Sequence, residues 1–240
     1  MAGHSKWSQI KRKKAILDSK RGQIFTKIIK EITIASRMGG GDEDANPRLR
    51  QAITNAKGAN MPLNNIKKAI LKGTGELPGV SYEEMIFEGY GPGGVAIMIE
   101  VATDNRKRTV AELRHLIAKN GGNLGESGCV SWMFKRKGNI IINKSNIDEE
   151  KLMELFLKFN ILDFSEENDI YIVETKPEEM NKFLKTLEQD NYKIISSEIL
   201  QVSDNTVSIN NDISNKIINL FEKLDEHEDV QKIHSNFEIN

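Results

Sequence analysis

Glu88-Gly89-Tyr90-Gly91-Pro92-Gly93-Gly94-Val95-Ala96-Ile97-Met98-Ile99-Glu100-Val101 is the stretch whose reading decides the fold. Glycines at 89, 91 and 94 satisfy G-x-G-x-x-G, the pattern of a dinucleotide-binding loop. That loop holds a pyrophosphate only where it opens a helix whose N-terminus faces the phosphates. Val95 to Val101 is a strand by composition and length, so the glycines read as a hairpin turn joining it to a strand over Tyr82 to Glu88. A helix starting at Val95 would restore a nucleotide-binding enzyme, and a strand there removes its main support.

On the C-terminal side, Thr103 or Asp104 caps a helix carrying Val110, Leu113 and Ile117, and Gly128 to Phe134 reads as another strand. From Gly138 the order is strand (139–143), helix (148–159), strand (161–164), strand (170–175), helix (177–190) and strand (192–202). This β-α-β-β-α-β order is ferredoxin-like. A last helix carrying Ile213, Ile217, Leu220, Phe221 and Leu224 precedes a short strand within 230–239. These late elements need a sheet, and the unit over 80–134 lacks an α-β ending, so the second α+β domain is inserted into the first.

On the N-terminal side the pattern is helical. Ile24, Phe25, Ile28, Ile29, Ile32 and Ala35 form one stripe, and Lys20, Lys27, Lys30 and Arg37 fall within roughly a 100° arc on the other side. Gly39-Gly40-Gly41 ends this helix, Asn46-Pro47 starts the next, and a third follows Met61-Pro62. The expected fold is thus α+β in three domains: a basic all-helical domain at 1–75, a discontinuous α+β domain at 80–136 plus 204–240, and an inserted ferredoxin-like domain at 137–203.

Charge follows the same division. Residues 1–75 carry 16 Lys+Arg against 5 Asp+Glu, whereas the rest carry 18 against 30, a dipole hidden by the chain's net charge of −1. A cationic domain on an acidic body suits a polyanion, because cations that neutralise phosphates release condensed counterions. Lys6, Trp7, Lys11, Arg12, Lys13 and Lys14 lie in a segment that repels itself when free and is expected to order on an anion partner. With Lys20, Arg21, Lys27, Lys30, Arg48, Arg50, Lys57, Lys67 and Lys68 they make the expected nucleic-acid-binding set, led by Lys11, Lys14, Lys27 and Lys30. Arg106, Lys107 and Arg108 join it: three cations in one helix's first turn oppose the macrodipole and need an anion, either a carboxylate of the acidic body or a target phosphate. Only Trp7 and Phe25 are aromatic in residues 1–75, too few to stack splayed bases. Duplex DNA and folded RNA such as ribosomal RNA both remain as partners.

Other classes find little support. Cys129 stands alone and reads as a small strand residue, the four histidines share no metal-ligand spacing, and Glu83-Glu84 and Glu228-Asp229 read as solvated faces. No catalytic residue, metal, cofactor or small-molecule substrate is expected. No apolar run reaches the roughly 18 residues of a membrane span.

Several blocks together resemble one family. Met1-Ala2-Gly3-His4-Ser5-Lys6-Trp7, Asn46-Pro47-Arg48-Leu49-Arg50, Asn60-Met61-Pro62-Leu63-Asn64-Asn65-Ile66, Glu88 to Gly94, Thr103-Asp104-Asn105-Arg106 and Asp229-Val230-Gln231 are similar to the YebC/PmpR family, in the same order along nearly the whole chain. The resemblance implies three domains and a cytoplasmic, bacterial, DNA-binding regulator of transcription. It also implies a translational alternative, since mitochondrial relatives are translational activators and bacterial members have been given a role on the ribosome. Gly41-Asp42-Glu43-Asp44 departs from the Gly-Asp-Pro that relatives often carry, which predicts a less rigid loop.

Overall fold

Val95 leads into a strand. In the computed structural model, which describes residues 21–239 except 146, 148 and 168, β1 (Glu83–Tyr90) and β2 (Ala96–Thr103) pair antiparallel from Glu83↔Thr103 to Tyr90↔Ala96. The Gly91 N–H donates to the Val95 carbonyl at 2.8 Å, while Gly93 and Gly94 adopt φ of 73° and 74°, a region that side chains disfavour. The glycines close a hairpin, and the helix that a pyrophosphate loop requires is not there.

Three helices precede it: α1 (Arg21–Gly39), α2 (Pro47–Gly58) and α3 (Leu63–Thr74). Asn46 caps α2, its side-chain oxygen accepting from the Leu49 N–H at 3.1 Å, with Pro47 in the first turn as expected. Ile32 and Ala35 of α1 pack against Leu49, Ala52, Ile53 and Ala56 of α2 and Ile66 and Ala69 of α3. The α1–α3 crossing is tight enough to need Gly73. A Cβ there would overlap the Thr33 carbonyl oxygen and lie 2.7 Å from Ser36 Cβ. We expect Gly73→Ala to lower stability by about 1–3 kcal/mol, read as a drop in denaturant midpoint at constant slope. An unshifted midpoint would mean that the crossing is loose.

After β2 come α4 (Arg106–Lys119) and a two-residue strand, β3 (Asn123–Leu124), which pairs with β1. The strand expected over 128–134 is replaced by a turn and a 3-10 turn at Ser131–Met133. The reason is Glu88, whose buried carboxylate accepts backbone N–H bonds from Gly128 and Val130 at 2.8 Å and from Ser131 at 2.7 Å. Those donors face a side chain, so they are lost to any ladder. Burial on its own would raise the Glu88 pKa, but these donors hold it below its ordinary value.

The ferredoxin-like segment follows as β4 (Phe134–Asn143), α5 (Glu149–Lys158), β5 (Asp163–Glu167), β6 (Ile170–Thr175), α6 (Pro177–Gln189) and β7 (Ile194–Ser203). The helix start expected at Asp148 lies outside the described residues. Its antiparallel sheet runs β5-β6-β4-β7, with Ile140, Ile142, Tyr171 and Val173 packed against Leu152, Phe156, Phe183 and Leu187 of the two helices.

The chain then completes the earlier sheet. β8 (Val207–Ile209), α7 (Asn211–Glu226), β9 (Val230–Ser235) and β10 (Phe237–Ile239) follow. β9 joins β2, giving the order β3-β1-β2-β9, and β8 pairs parallel with β10. Ile97, Ile99 and Val101 of β2 bury with Leu113 and Ile117 of α4 and with Ile217, Leu220, Phe221 and Leu224 of α7. The fold is α+β, with the ferredoxin-like segment inserted. The described residues form two compact units: Trp132–Thr206 is one, and residues 21–131 together with 207–239 are the other. The three-helix bundle therefore shares a unit with the first sheet.

Candidate nucleic-acid interface

Cations at helical spacing on α1 suggested a phosphate-facing surface, but the structure turns Lys27 and Lys30 inward and ties the exposed Arg37 to the chain after α3. Lys27 Nζ lies 2.6 Å from the Asp225 carbonyl oxygen and 3.2 Å from its carboxylate. Arg37 donates to the Ser81 hydroxyl at 2.5 Å and to the Tyr82 carbonyl. Lys30 is only 5% exposed; its ammonium reaches Asp229 Oδ1 at 2.5 Å, the Glu228 carbonyl at 3.0 Å and the Ala102 carbonyl at 3.3 Å. Lys30 is thus corrected from a phosphate contact to a buried structural cation. A group with three internal acceptors and almost no exposure cannot reach a phosphate while the fold is intact.

Asp229 is the centre of this arrangement. It is fully buried and accepts, besides Lys30, the Thr109 hydroxyl at 2.7 Å, Arg108 at 2.9 Å and the Thr103 hydroxyl at 3.0 Å. Burial on its own would raise its pKa, yet Lys30, Thr109 and Arg108 hold it well below the ordinary carboxylate range. The reading of Glu228-Asp229 as a solvated face is therefore wrong for Asp229. Thr103 turns to this carboxylate, so Asn105 caps α4, accepting from the Arg108 N–H at 3.1 Å.

Arg108 is committed as well. Besides Asp229 it pairs with Asp104 at 3.1 Å, and its pKa is raised chiefly by the Asp229 hydrogen bond. Of the two anions open to the cluster, a carboxylate of the body takes Arg108. Arg106 and Lys107 stay exposed and have no ion-pair partner among the described residues.

Two arginines of α2 are also engaged. Arg48 holds Glu31 through Nε at 2.7 Å and a terminal nitrogen at 2.9 Å, and Glu84 at 2.5 and 3.0 Å; hydrogen bonds to Glu31 first, then Glu84, raise its pKa. Glu84 is thus an anchor from β1 and not merely solvated. Arg50 donates to the Glu43 and Asp44 carbonyls at 3.0 and 2.6 Å, which pins the loop whose missing proline suggested flexibility.

What remains outward is a different surface. Lys57 near the end of α2 and Lys67, Lys68 and Lys72 on α3 are exposed, and none has an ion-pair partner among the described residues. From Ala45 to Gly75 there is no Asp or Glu at all, so no neighbouring carboxylate in this stretch neutralises them. Lys6, Trp7, Lys11, Arg12, Lys13, Lys14 and Lys20 lie outside the described residues, as does the side chain of Arg21. Sequence reasoning missed Asp229 as the partner of two expected phosphate contacts. Its signal was the Asp229-Val230-Gln231 block, which carried the resemblance before it had a structural role.

No helix among the described residues is long and apolar enough to cross a membrane. Family comparison covers nearly the whole chain. The model described as "TACO1/YebC protein N-terminal domain" matches residues 5–76, and "TACO1/YebC second and third domain" matches 82–237. A relative from Syntrophus aciditrophicus is 52% identical over 240 residues, covering 100% of this chain and 96% of its own length. Another, from Pelotomaculum thermopropionicum, is 51% identical over 241 residues, covering 100% and 99%. Both are named "Probable transcriptional regulatory protein". A crystal structure of a conserved hypothetical protein from Aquifex aeolicus matches with a TM-score of 0.88 at 46% identity, over 98% of this chain and 97% of that one. With both family models matched in order and half the residues identical from end to end, the chain belongs to the TACO1/YebC family.

Proposed function

We propose that the protein is a non-enzymatic, cytoplasmic regulator of gene expression that binds duplex DNA through the solvent face of α2 and α3. The observation that carries this reading is the set Lys57, Lys67, Lys68 and Lys72, exposed and unpaired among the described residues on a stretch without a carboxylate. A helix face that serves only solubility mixes its signs, whereas a one-sign face draws a polyanion and its counterion release. Arg106 and Lys107 supply a second exposed pair of cations on α4. The relatives' name supports transcription over translation as the process.

The test is direct binding of the full-length protein to duplex DNA and to a folded RNA of equal length at one ionic strength. The proposal expects tighter binding to DNA, weakening steeply with salt. Tighter binding to RNA would favour the translational reading, and no binding to either polymer would remove the nucleic-acid function.

A further inference from the structure

The exposed face of α3 carries more than charge. Leu63 is 63% exposed, and Asn64 beside it is exposed with an amide that makes no hydrogen bond among the described residues. One turn further on stand Lys67 and Lys68. At 100° per residue these four side chains fall within about a 140° arc, while Ile66 and Ala69 on the opposite side are buried in the bundle. On that arc the free Asn64 amide lies between the two lysines and Leu63 at its edge, and Leu63 belongs to no buried cluster among the described residues. Phosphate binding alone calls for neither Asn64 nor Leu63.

We infer that the first two turns of α3 read base edges in the major groove of B-form DNA, with Asn64 and Leu63 selecting an A·T-containing step and Lys67 and Lys68 holding the flanking phosphates. This rests on the proposed DNA-binding function and adds sequence selection to it. The chemistry fits: an amide pairs in bidentate fashion with adenine N6 and N7, and an apolar side chain meets the thymine methyl group. The scaffold fits too. α2 and α3 are joined by the short turn Ala59–Pro62, with Asn60 at φ 56°, an αL position that asparagine tolerates. The major groove of B-DNA admits an α-helix, whereas the deep, narrow groove of A-form RNA does not. Charge complementarity is supplied by the carboxylate-free stretch from Ala45 to Gly75.

The experiment is selection from a randomised duplex pool by the full-length protein, followed by affinities for the selected and a scrambled duplex with wild type, Asn64→Ala, Leu63→Ala, and the pair Lys67→Gln with Lys68→Gln. Enrichment of an A·T-containing core is expected. Asn64→Ala should then cut the selected-to-scrambled ratio by about tenfold, leaving scrambled-duplex affinity and the thermal midpoint in place; Leu63→Ala should act the same way by less. The lysine pair should weaken both duplexes equally. Three results overturn the inference: no enriched sequence, an unchanged ratio in both Asn64→Ala and Leu63→Ala, or tighter binding to A-form RNA. Of these, the first two accompanied by salt-dependent duplex binding leave the broader DNA-binding function standing, whereas tighter binding to RNA, or failure of the wild type to bind any duplex, removes both.

Discussion

Asp229→Ala should cost about 3–5 kcal/mol of stability, the range for removing one partner of a buried ion pair. The loss is large because four groups lose their acceptor together. Lys30 would be left charged and 5% exposed, with only two carbonyl oxygens, and Thr103, Thr109 and Arg108 would lose their shared carboxylate. Lys30→Met should cost less, since Asp229 keeps Arg108 and two hydroxyls while the methionine fills part of the lysine stem. Denaturant unfolding at constant slope reads both effects. A loss below about 1 kcal/mol for Asp229→Ala would mean that the site is solvated and that the bundle is not fixed to the sheet through it.

The same site sets the acid response. Its folded pKa is depressed, so its contribution is complete above the unfolded value of about 3.9 and declines as pH falls toward the folded value. The stability gap between wild type and Asp229→Ala should therefore be constant near neutrality and narrow below about pH 4.

The second large effect is on binding. Changing Lys57, Lys67 and Lys68 together to Gln should reduce the slope of log K against log salt on B-DNA by about 2.7, at roughly 0.9 for each phosphate that is no longer neutralised. All three are exposed, so the thermal midpoint should stay near that of the wild type. Lys27→Gln should do the reverse, lowering stability through weakened bonding to Asp225 while leaving the slope alone. A wild-type slope in the triple variant would remove α2 and α3 from the binding surface.

Much of the fold was legible because its signals are local. Glycines before the largely apolar run Val95 to Val101, Asn46-Pro47 before a helical stripe, and the strand-helix order after Gly138 each specify an element through backbone chemistry within a few residues. The failures were of long range. Nothing near Gly128 shows that Glu88, about 40 positions earlier, will take the amides of that segment, and so a strand was expected where a turn forms. Three-residue pairing of β8 with β10 gives no periodicity to read.

The site was half legible for the same reason. Helical spacing correctly placed Lys27 and Lys30 opposite the apolar stripe of α1, but spacing does not say what covers a face. Both pair with carboxylates some 198 and 199 residues away, on the segment that ends α7 and begins β9. The charge dipole therefore has two uses. Part of the basic excess fastens the bundle to its acidic neighbour, and what is left on α2 and α3 faces solvent.

Lysine-reactivity footprinting of the full-length protein, free and with saturating duplex DNA, tests that division most directly. Lys57, Lys67, Lys68 and Lys72, exposed in the structure, are expected to react freely and, if the proposed DNA-binding function holds, to become protected by DNA, while Lys30 stays unreactive in both states because its ammonium is enclosed by Asp229 and two carbonyls. Free reactivity at Lys30 that DNA then suppresses, with no protection on α3, would contradict the account and return the binding surface to α1.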